Sequence, residues 1–372
     1  MKGTVVIFGA SLIAALIAST ESPVPESPKK VEASPGEELQ AYLDTLAKDN
    51  SVSGVLLVAK NGVTVASKAA GIANKATGAV IDLNTKFNLG SMNKMFTAVA
   101  IGQLAQAGKL SFSDTVGKHL PDYSNKEVAD KVTIHHLLTH TSGMGMYWND
   151  KFRAQRDKLL TVADYLPLFA TDPLAFPPGE KFQYSNAGYM LLGAIAEKVS
   201  GQDYYSYVQE HIFKPAGMTD TGFYDPAKET PNLAIGYTKM GPSGAPSDEV
   251  RDNNSIREIK GGPAGGGYST APDLVKFQTA LLSYKLLDKT HTELVTTGKV
   301  DGPRGMGKYG YGFGDNEMGG KHSIGHNGGA PGIAANFEMF PESGYTAIVL
   351  MNSDPPTMMP VAKALREKIP AK

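Results

Sequence analysis

Residues 88–100 have the sequence NLGSMNKMFTAVA, and this stretch joins a helix start to two reactive side chains. Gly90 is a natural break before a helix, and the hydroxyl of Ser91 is of the kind favoured as a helix cap. The residues that follow are largely apolar up to about Ala107, which indicates a mostly buried helix. Because Ser91 and Lys94 are three residues apart, their side chains lie on one helical face within reach of each other.

The Ser91–Lys94 pair places a hydroxyl nucleophile beside an amine that can take its proton. Burial and the positive end of a helix both disfavour a charged ammonium, so this position lowers the pKa of a lysine. The same spacing also fits a capped helix with a solvated lysine, because a motif this short recurs by chance. A second copy, Ser27 to Lys30, lies in a proline-rich stretch with no helix to fix its geometry.

Composition excludes several functional classes. The chain has 372 residues, enough for a sizeable core in one large domain or two intimate ones. It contains no cysteine, which excludes a thiol nucleophile, a disulfide framework and metal sites built from cysteine. The net charge of −1 offers no electrostatic case for binding nucleic acid.

No cofactor is expected from the motifs. His136 and His140 have the i, i+4 spacing that metal ligands use, but no glutamate follows His136 and a helix-to-turn boundary accounts for both residues. Residues 305–310 fit Gly-x-Gly-x-x-Gly, but they lead into another glycine-rich segment instead of a helix. We therefore predict neither a metal nor an organic cofactor.

The N-terminal segment indicates export. Within residues 1–20, one lysine precedes an uncharged run with an apolar centre, the pattern of a secretory signal peptide. A run of this length also fits an uncleaved membrane anchor. Residues 21–35 are rich in Pro, Ser, Glu and Lys and are predicted to be a disordered linker. We expect a periplasmic or secreted protein that contacts a membrane only if the N-terminal segment is retained.

Strand patterns occupy both ends of the remaining chain. Asn61-Gly62 joins two β-rich runs and predicts a hairpin. Four more strands are predicted near the C-terminus, at 308–313, 322–326, 334–340 and 345–351. Between the two ends, short helices are separated by Pro and Gly, and residues 241–254 resemble an exposed loop.

These patterns predict an α+β (α/β two-lobe) fold with one antiparallel sheet built from both chain ends and flanked by helices. A mainly helical lobe is inserted between the two sets of strands. We place one domain at 36–370, with the sheet lobe at about 36–90 and 300–370 and the helical lobe at about 110–260. A cleft between the lobes is where a site is expected.

Tyr184 and Asn186 form a second candidate motif, at the start of a predicted helix over 187–199. A phenol can donate or accept a proton, and an amide can hold a substrate carbonyl or the lysine. The alternative is a packed tyrosine with asparagine as the helix cap.

Residues 324–332, with the sequence IGHNGGAPG, form a third candidate motif on a predicted strand. Glycines in a strand allow a ligand or another backbone to come close. His326 is a candidate proton shuttle or electropositive partner, and backbone N–H groups near Gly328 and Gly329 are candidates to face an oxyanion with the N–H of Ser91. A bulged strand with a chance histidine is the alternative.

Together, the three motifs resemble those of the serine β-lactamase and penicillin-binding-protein superfamily. The likeness is greater to class C-like members, which include family VIII carboxylesterases, D-aminopeptidases and DD-peptidases. Those proteins carry Ser-x-x-Lys, Tyr-x-Asn and either Lys-Thr-Gly or His-x-Gly, here Ser91–Lys94, Tyr184–Asn186 and His326–Gly328. The resemblance covers about 36–370 and implies a β-lactamase/transpeptidase-like fold.

The resemblance also implies a mechanism. Ser91 attacks a carbonyl to form an acyl-enzyme, Lys94 and Tyr184 relay the proton, Asn186 orients the substrate, and His326 supports the site. Many relatives have lysine at the last position, and an imidazole binds a substrate carboxylate less well. We therefore expect a carboxylesterase or D-residue peptidase of small ester, amide or peptide substrates, and we expect any β-lactamase activity to be weak. The alternative is a β-lactam or cell-wall-peptide sensor that acylates without efficient turnover.

Overall fold

A computed structural model describes residues 1–5, 35–49, 51–224, 228–241, 245–303 and 307–371. The predicted signal and linker segments fall almost wholly outside these ranges, so both remain predictions. Among the described helices, none is long and apolar enough to cross a membrane.

Helices make up most of the middle of the chain. The described α-helices are, in order, α1 (Pro35–Asp49), α2 (Asn93–Gln106), α3 (Val116–His119), α4 (Lys126–Lys131), α5 (Ile134–Leu138), α6 (Asp150–Gln155), α7 (Val162–Tyr165), α8 (Asn186–Ser200), α9 (Tyr204–Val208), α10 (Lys214–Ala216), α11 (Ala271–Leu282), α12 (Lys289–Thr296) and α13 (Met358–Lys368). Short 3₁₀ turns add Gly90–Met92, Arg156–Lys158, Leu166–Leu168 and Pro355–Thr357, and Gln209–Phe213 is a π-helix.

Strands come mainly from the two ends of the described chain. In order they are β1 (Gly54–Lys60), β2 (Val63–Ala70), β3 (Ile72–Asn74), β4 (Ala79–Val80), β5 (Phe87–Asn88), β6 (Tyr237–Met240), β7 (Pro246–Asp252), β8 (Tyr268–Ser269), β9 (Val300–Asp301), β10 (Lys308–Tyr309), β11 (Gly314–Met318), β12 (Lys321–Ala330), β13 (Ile333–Phe340) and β14 (Tyr345–Met351).

One eight-stranded sheet has the order β2-β1-β14-β13-β12-β11-β10-β9. Its pairings from β2 to β9 are antiparallel, and β1 lies between its hairpin partner β2 and the C-terminal strand β14. Helices flank the sheet, so the predicted antiparallel sheet from both chain ends is confirmed.

Strand β1 shows why the sheet is covered on both faces. Its sequence GVLLVAK is an unbroken apolar run, and every residue before Lys60 is buried. Val55 and Leu57 belong to the larger core, which includes α2 and α11, whereas Leu56 and Val58 join a second core with α1 and α13. A strand buried on both faces therefore has no polar alternation.

The start of α2 differs in detail from the prediction. Ser91 makes no helix-capping hydrogen bond; it lies in the 3₁₀ turn that precedes the helix. The side-chain oxygen of Asn88 instead accepts the N–H of Gly90 at 2.9 Å, and Gly90 takes a φ of +50°, which favours glycine. The turn leaves the Ser91 hydroxyl free for other contacts.

Two local predictions were wrong. Residues 241–254 are not simply a loop, because β6 and β7 pair as an antiparallel hairpin. Strand β7 is polar and largely exposed, so it lacks the apolar alternation that identifies a strand. The predicted strand 308–313 ends at Tyr309, since Gly312 turns the chain with φ +75°, and polar β11 was missed.

Candidate active site

The structure places the Ser91 and Lys94 side chains in contact. The 3₁₀ turn runs directly into α2, and Lys94 Nζ lies 3.3 Å from Ser91 Oγ. Ser91 is partly exposed, whereas Lys94 is completely buried among the apolar residues that surround α2. The alternative of a solvated lysine does not describe this residue.

The surroundings of Lys94 favour a neutral amine. Its Nζ donates to Asn186 Oδ1 at 2.7 Å and to the Ala264 carbonyl at 2.5 Å, and both atoms are pure acceptors. Burial lowers the pKa of Lys94 to about 7, although the negative charge of Glu258 raises it. A neutral amine has two N–H groups, so the two acceptors use both and leave the lone pair for the Ser91 hydroxyl.

The start of α8 supplies the other polar groups around the amine. Ser185 caps the helix by accepting the N–H of Gly188. This places Asn186 beside Lys94 and the ring of Tyr184 4.7 Å from Nζ. The Tyr184 hydroxyl is buried and has no well-formed hydrogen bond within the described chain. Burial raises the pKa of the phenol, an effect that Ser91 partly offsets.

Strand β12 and the 3₁₀ turn that carries Ser91 come into close contact at two glycines, Gly328 on the strand and Gly90 on the turn. An added Cβ at Gly328 would lie 1.9 Å from the Leu89 carbonyl oxygen and 3.1 Å from the backbone N of Ser91. A Cβ at Gly90 would lie 3.0 Å from the backbone N of Gly329. The β11–β12 pairing stops at Gly325, so the edge of β12 beyond it faces the 3₁₀ turn. Backbone amides of Ser91 and Gly329 therefore lie on two segments that touch.

His326 lies behind this edge and is hydrogen-bonded through both ring nitrogens. Its Nε2 lies 2.9 Å from the Tyr309 hydroxyl, and its Nδ1 contacts the carbonyl oxygen of Asn327. Burial, helped by the charge of Lys94, lowers the pKa of His326 to about 3. The ring is therefore neutral near pH 7 and offers no free nitrogen for direct proton shuttling.

A second histidine fixes the protonation of this network. His140 Nδ1 accepts the backbone N–H of Ser185 at 3.1 Å, so its proton is on Nε2, which donates to the Tyr309 hydroxyl at 3.2 Å. Tyr309 then donates its one proton to His326 Nε2, and His326 donates from Nδ1 to the Asn327 carbonyl. One chain of hydrogen bonds thus links α8 to β12.

Sequence reasoning missed His140 and Tyr309. His140 is completely buried, packs against the Tyr184 ring at a centroid distance of 4.2 Å with the ring planes tilted by 36°, and has a φ of +58°. From the sequence alone, we reject a metal-ligand role for His140 and assign it to a helix-to-turn boundary. Its hydrogen-bond partners lie 45 and 169 residues away in sequence. No local pattern could reveal those contacts.

Ser91 lies between two cavities. One, of about 600 Å³, is lined by Ser91, Tyr184 and a rim of prolines and methionines that includes Pro355 and Met359. The other, of about 480 Å³, extends from Ser91 and Asn186 to the following aromatic and charged residues: Tyr147, Trp148, Phe152, Arg153, Arg156, Arg257 and Glu258. A carbonyl at Ser91 can therefore carry substituents in two directions.

Comparison with known proteins gives the family. A model of the beta-lactamase family matches residues 39–370. The chain is 32% identical over 306 residues to the putative penicillin-binding protein PbpX of Bacillus subtilis (strain 168), covering 82% of this chain and 72% of that protein.

Solved structures agree with the sequence comparison. A penicillin-binding protein from Bacillus halodurans superposes with a TM-score of 0.77 at 33% identity, over 87% of this chain and 99% of that one. A D-stereospecific amidohydrolase from Streptomyces sp. gives a TM-score of 0.68 at 26% identity, over 86% and 94% of the two chains. The protein belongs to the serine β-lactamase and penicillin-binding-protein superfamily, and it is a serine hydrolase of that family.

Proposed function

We propose that this protein cleaves ester or amide bonds through an acyl-enzyme on Ser91, as a carboxylesterase or a D-residue peptidase. The observation that carries the proposal is the environment of Lys94. Two fixed acceptors, Asn186 Oδ1 and the Ala264 carbonyl, bind its amine and leave the third direction to Ser91 Oγ at 3.3 Å. A buried amine with a pKa of about 7 is suited to act as a base near neutral pH.

Acylation begins when Ser91 Oγ attacks the substrate carbonyl carbon and gives its proton to Lys94. The C–O or C–N bond of the leaving group then breaks, and that group takes a proton. Tyr184 is placed to relay this proton, since its buried hydroxyl lies near Ser91 and lacks another partner within the described chain. Asn186 holds the amine in line throughout.

Deacylation reverses these roles. A water molecule attacks the ester carbonyl, its proton passes to the Lys94–Tyr184 pair, and Ser91 Oγ regains a proton as the acid leaves. In both steps the carbonyl oxygen becomes an oxyanion. The amides of Ser91 and Gly329, on touching segments, are the donors we assign to it, and Gly328 allows the close approach.

The neutral state of His326 indicates which class of substrate the site binds. A fixed cation at this position would attract the carboxylate that β-lactams carry, but an imidazole with a pKa of about 3 is uncharged at neutral pH. This supports ester or amide substrates over β-lactams. The D-stereospecific amidohydrolase among the structural neighbours supports the peptidase branch.

A second function has support from the relatives. PbpX and the B. halodurans protein are both described as penicillin-binding proteins. A sensor of β-lactams or cell-wall peptides would form the same bond to Ser91 but release it slowly, without needing an efficient base.

The test is turnover of p-nitrophenyl acetate beside intact-mass measurement of the protein. We expect many products per protein molecule, and complete loss of product in Ser91→Ala. Ser27→Ala is the matched control, because Ser27 has the same Ser-x-x-Lys spacing outside the catalytic domain. A stable adduct with at most one product per molecule would favour the sensor, and full activity of Ser91→Ala would refute both functions.

We also propose that the protein is exported, on the pattern of residues 1–20. The mass of the protein recovered from cells tests this. Loss of about twenty N-terminal residues supports a cleaved signal, whereas a full-length protein in the membrane fraction supports an anchor.

A further inference from the structure

Glu258 is a carboxylate in the substrate cavity that the mechanism above does not use. Its Oε1 accepts two hydrogen bonds, from the Tyr147 hydroxyl at 2.5 Å and from Trp148 Nε1 at 3.1 Å. Its other oxygen, Oε2, makes no hydrogen bond to a described residue and lies 2.9 Å from the position that a Cβ on Gly266 would take. The side chain is therefore anchored by one oxygen and open at the other.

The open oxygen lies near the nucleophile. Gly266 donates its N–H to the Gly90 carbonyl at 3.2 Å, and a Cβ on the preceding Gly265 would lie 3.5 Å from the backbone N of Ser91. Ser91 and Glu258 line the same cavity of about 480 Å³. Because residues 265 and 266 are glycines without side chains, the space between Ser91 and Glu258 is open.

No cation within the described chain forms a salt bridge with Glu258. Arg257 donates to the backbone carbonyls of Glu258 and Ile259, and Arg156 donates to those of Asn254 and Arg257. Both guanidinium groups thus stabilise the loop, and neither makes a direct salt bridge with the carboxylate. Burial raises the pKa of Glu258, while hydrogen bonds from Tyr147 and Trp148 and the more distant charges of Lys94 and Arg257 favour its charged form. An unpaired carboxylate in such surroundings is costly unless a ligand supplies the opposite charge.

We propose that Glu258 binds an ammonium group on the acyl part of the substrate. Resting on the proposed function, this narrows the substrate class to esters, amides or peptides whose acyl residue carries a free amine. The amine occupies the cavity beside Oε2 while the adjacent carbonyl reaches Ser91. The leaving group then extends into the other cavity, along the proline- and methionine-lined rim.

The test compares D-alanine p-nitroanilide with propionyl p-nitroanilide, which differs by replacement of the amine with hydrogen. In Glu258→Gln, the amide oxygen still accepts from Tyr147 and Trp148, so the anchor is kept and only the charge is lost. We expect kcat/KM for the amino substrate to fall about 10- to 100-fold, with the propionyl substrate changed less than threefold. Glu197→Gln is the control, since Glu197 is also half-buried and accepts a backbone N–H but lies outside both cavities.

Equal losses on both substrates would show that Glu258 is only structural, and no loss on either would show that it does not contact the amine. A binding arm separates this inference from the proposed function. Calorimetry of Ser91→Ala with D-alanine amide and with propionamide should show a preference for the amine that Glu258→Gln removes. A wild-type protein that cleaves neither substrate but keeps this preference would refute the proposed amide cleavage and retain the ammonium site.

Discussion

Each of the two walls of the candidate active site contains a buried basic side chain, Lys94 on one wall and His326 on the other. The two side chains differ in whether they contact Ser91. On the helix wall, formed by Ser91, Lys94, Tyr184 and Asn186, the amine touches the nucleophile. On the strand wall, formed by β12 from His326 to Gly329, the imidazole bonds away from it through Tyr309 and the Asn327 carbonyl.

The difference lies in the number of hydrogen-bond partners. Lys94 has two acceptors besides Ser91, which suits a neutral amine with one direction left for chemistry. His326 has one partner for each nitrogen, which suits a neutral imidazole with none left. Burial lowers both pKa values, to about 7 and about 3, but only the first lies near neutrality. We therefore expect the helix wall to move protons and the strand wall to position backbone amides.

The largest expected effect on kcat distinguishes the role of Lys94 from that of His326. Lys94→Ala removes the base and should lower kcat for an ester substrate by about a thousandfold or more. His326→Gln keeps a side chain that can bond to Tyr309, so we expect a loss of about tenfold or less. Circular dichroism of both variants checks folding. Similar losses in the two variants would contradict the division of roles.

On the strand wall, we expect a substitution that blocks the close backbone contact of β12 to lower the rate more than a substitution of His326. Gly328→Ala puts a Cβ 1.9 Å from the Leu89 carbonyl oxygen, so β12 must move away from the turn that carries Ser91. A displacement of about 1 Å can cost about a hundredfold in rate. Gly145→Ala is the control, since nothing lies within 4 Å of the Cβ it adds. A Gly328→Ala enzyme of full activity would exclude a role for this contact.

The helix wall and the sheet could be predicted because their signals are local. The largely apolar stretch that follows Lys94 up to about Ala107 and the Asn61-Gly62 turn each specify an element, and the three motifs specify the candidate site residues. The strand wall was predicted only in part. Gly328 and Gly329 are visible in the sequence, but the protonation of His326 depends on residues far away in the chain.

The missed residues share one physical property, which is that distant contacts give them their environment. Tyr309 lies on a two-residue strand, His140 in a turn, and Glu258 in a loop held by Arg156 across about 100 residues. Each is an ordinary polar residue in the sequence. Only the tertiary structure buries these three side chains and places them beside the candidate site.

The pH dependence should show one titrating nitrogen instead of two. Lys94 must be neutral to accept the serine proton, so kcat/KM should rise about tenfold per pH unit below about 7 and level off above it. Because the pKa of His326 lies near 3, no second step is expected between pH 5 and 9. A neutral ester measured over that range in wild type and His326→Gln should give the same profile. A step that disappears in His326→Gln would show that the imidazole titrates in catalysis.

The smallest effect on rate should come from the link that joins the two walls. Tyr309→Phe removes the hydroxyl that accepts from His140 Nε2 and donates to His326 Nε2, leaving two buried groups unpaired. We expect a loss of about 1–3 kcal/mol in the free energy of unfolding, measured by urea denaturation, with a rate change of only a few-fold. Tyr311→Phe is the matched control, because the Tyr311 hydroxyl bonds to the half-buried His135 and lies outside both cavities. If Tyr309→Phe instead abolished activity at unchanged stability, the strand wall would take part in proton transfer through this hydroxyl.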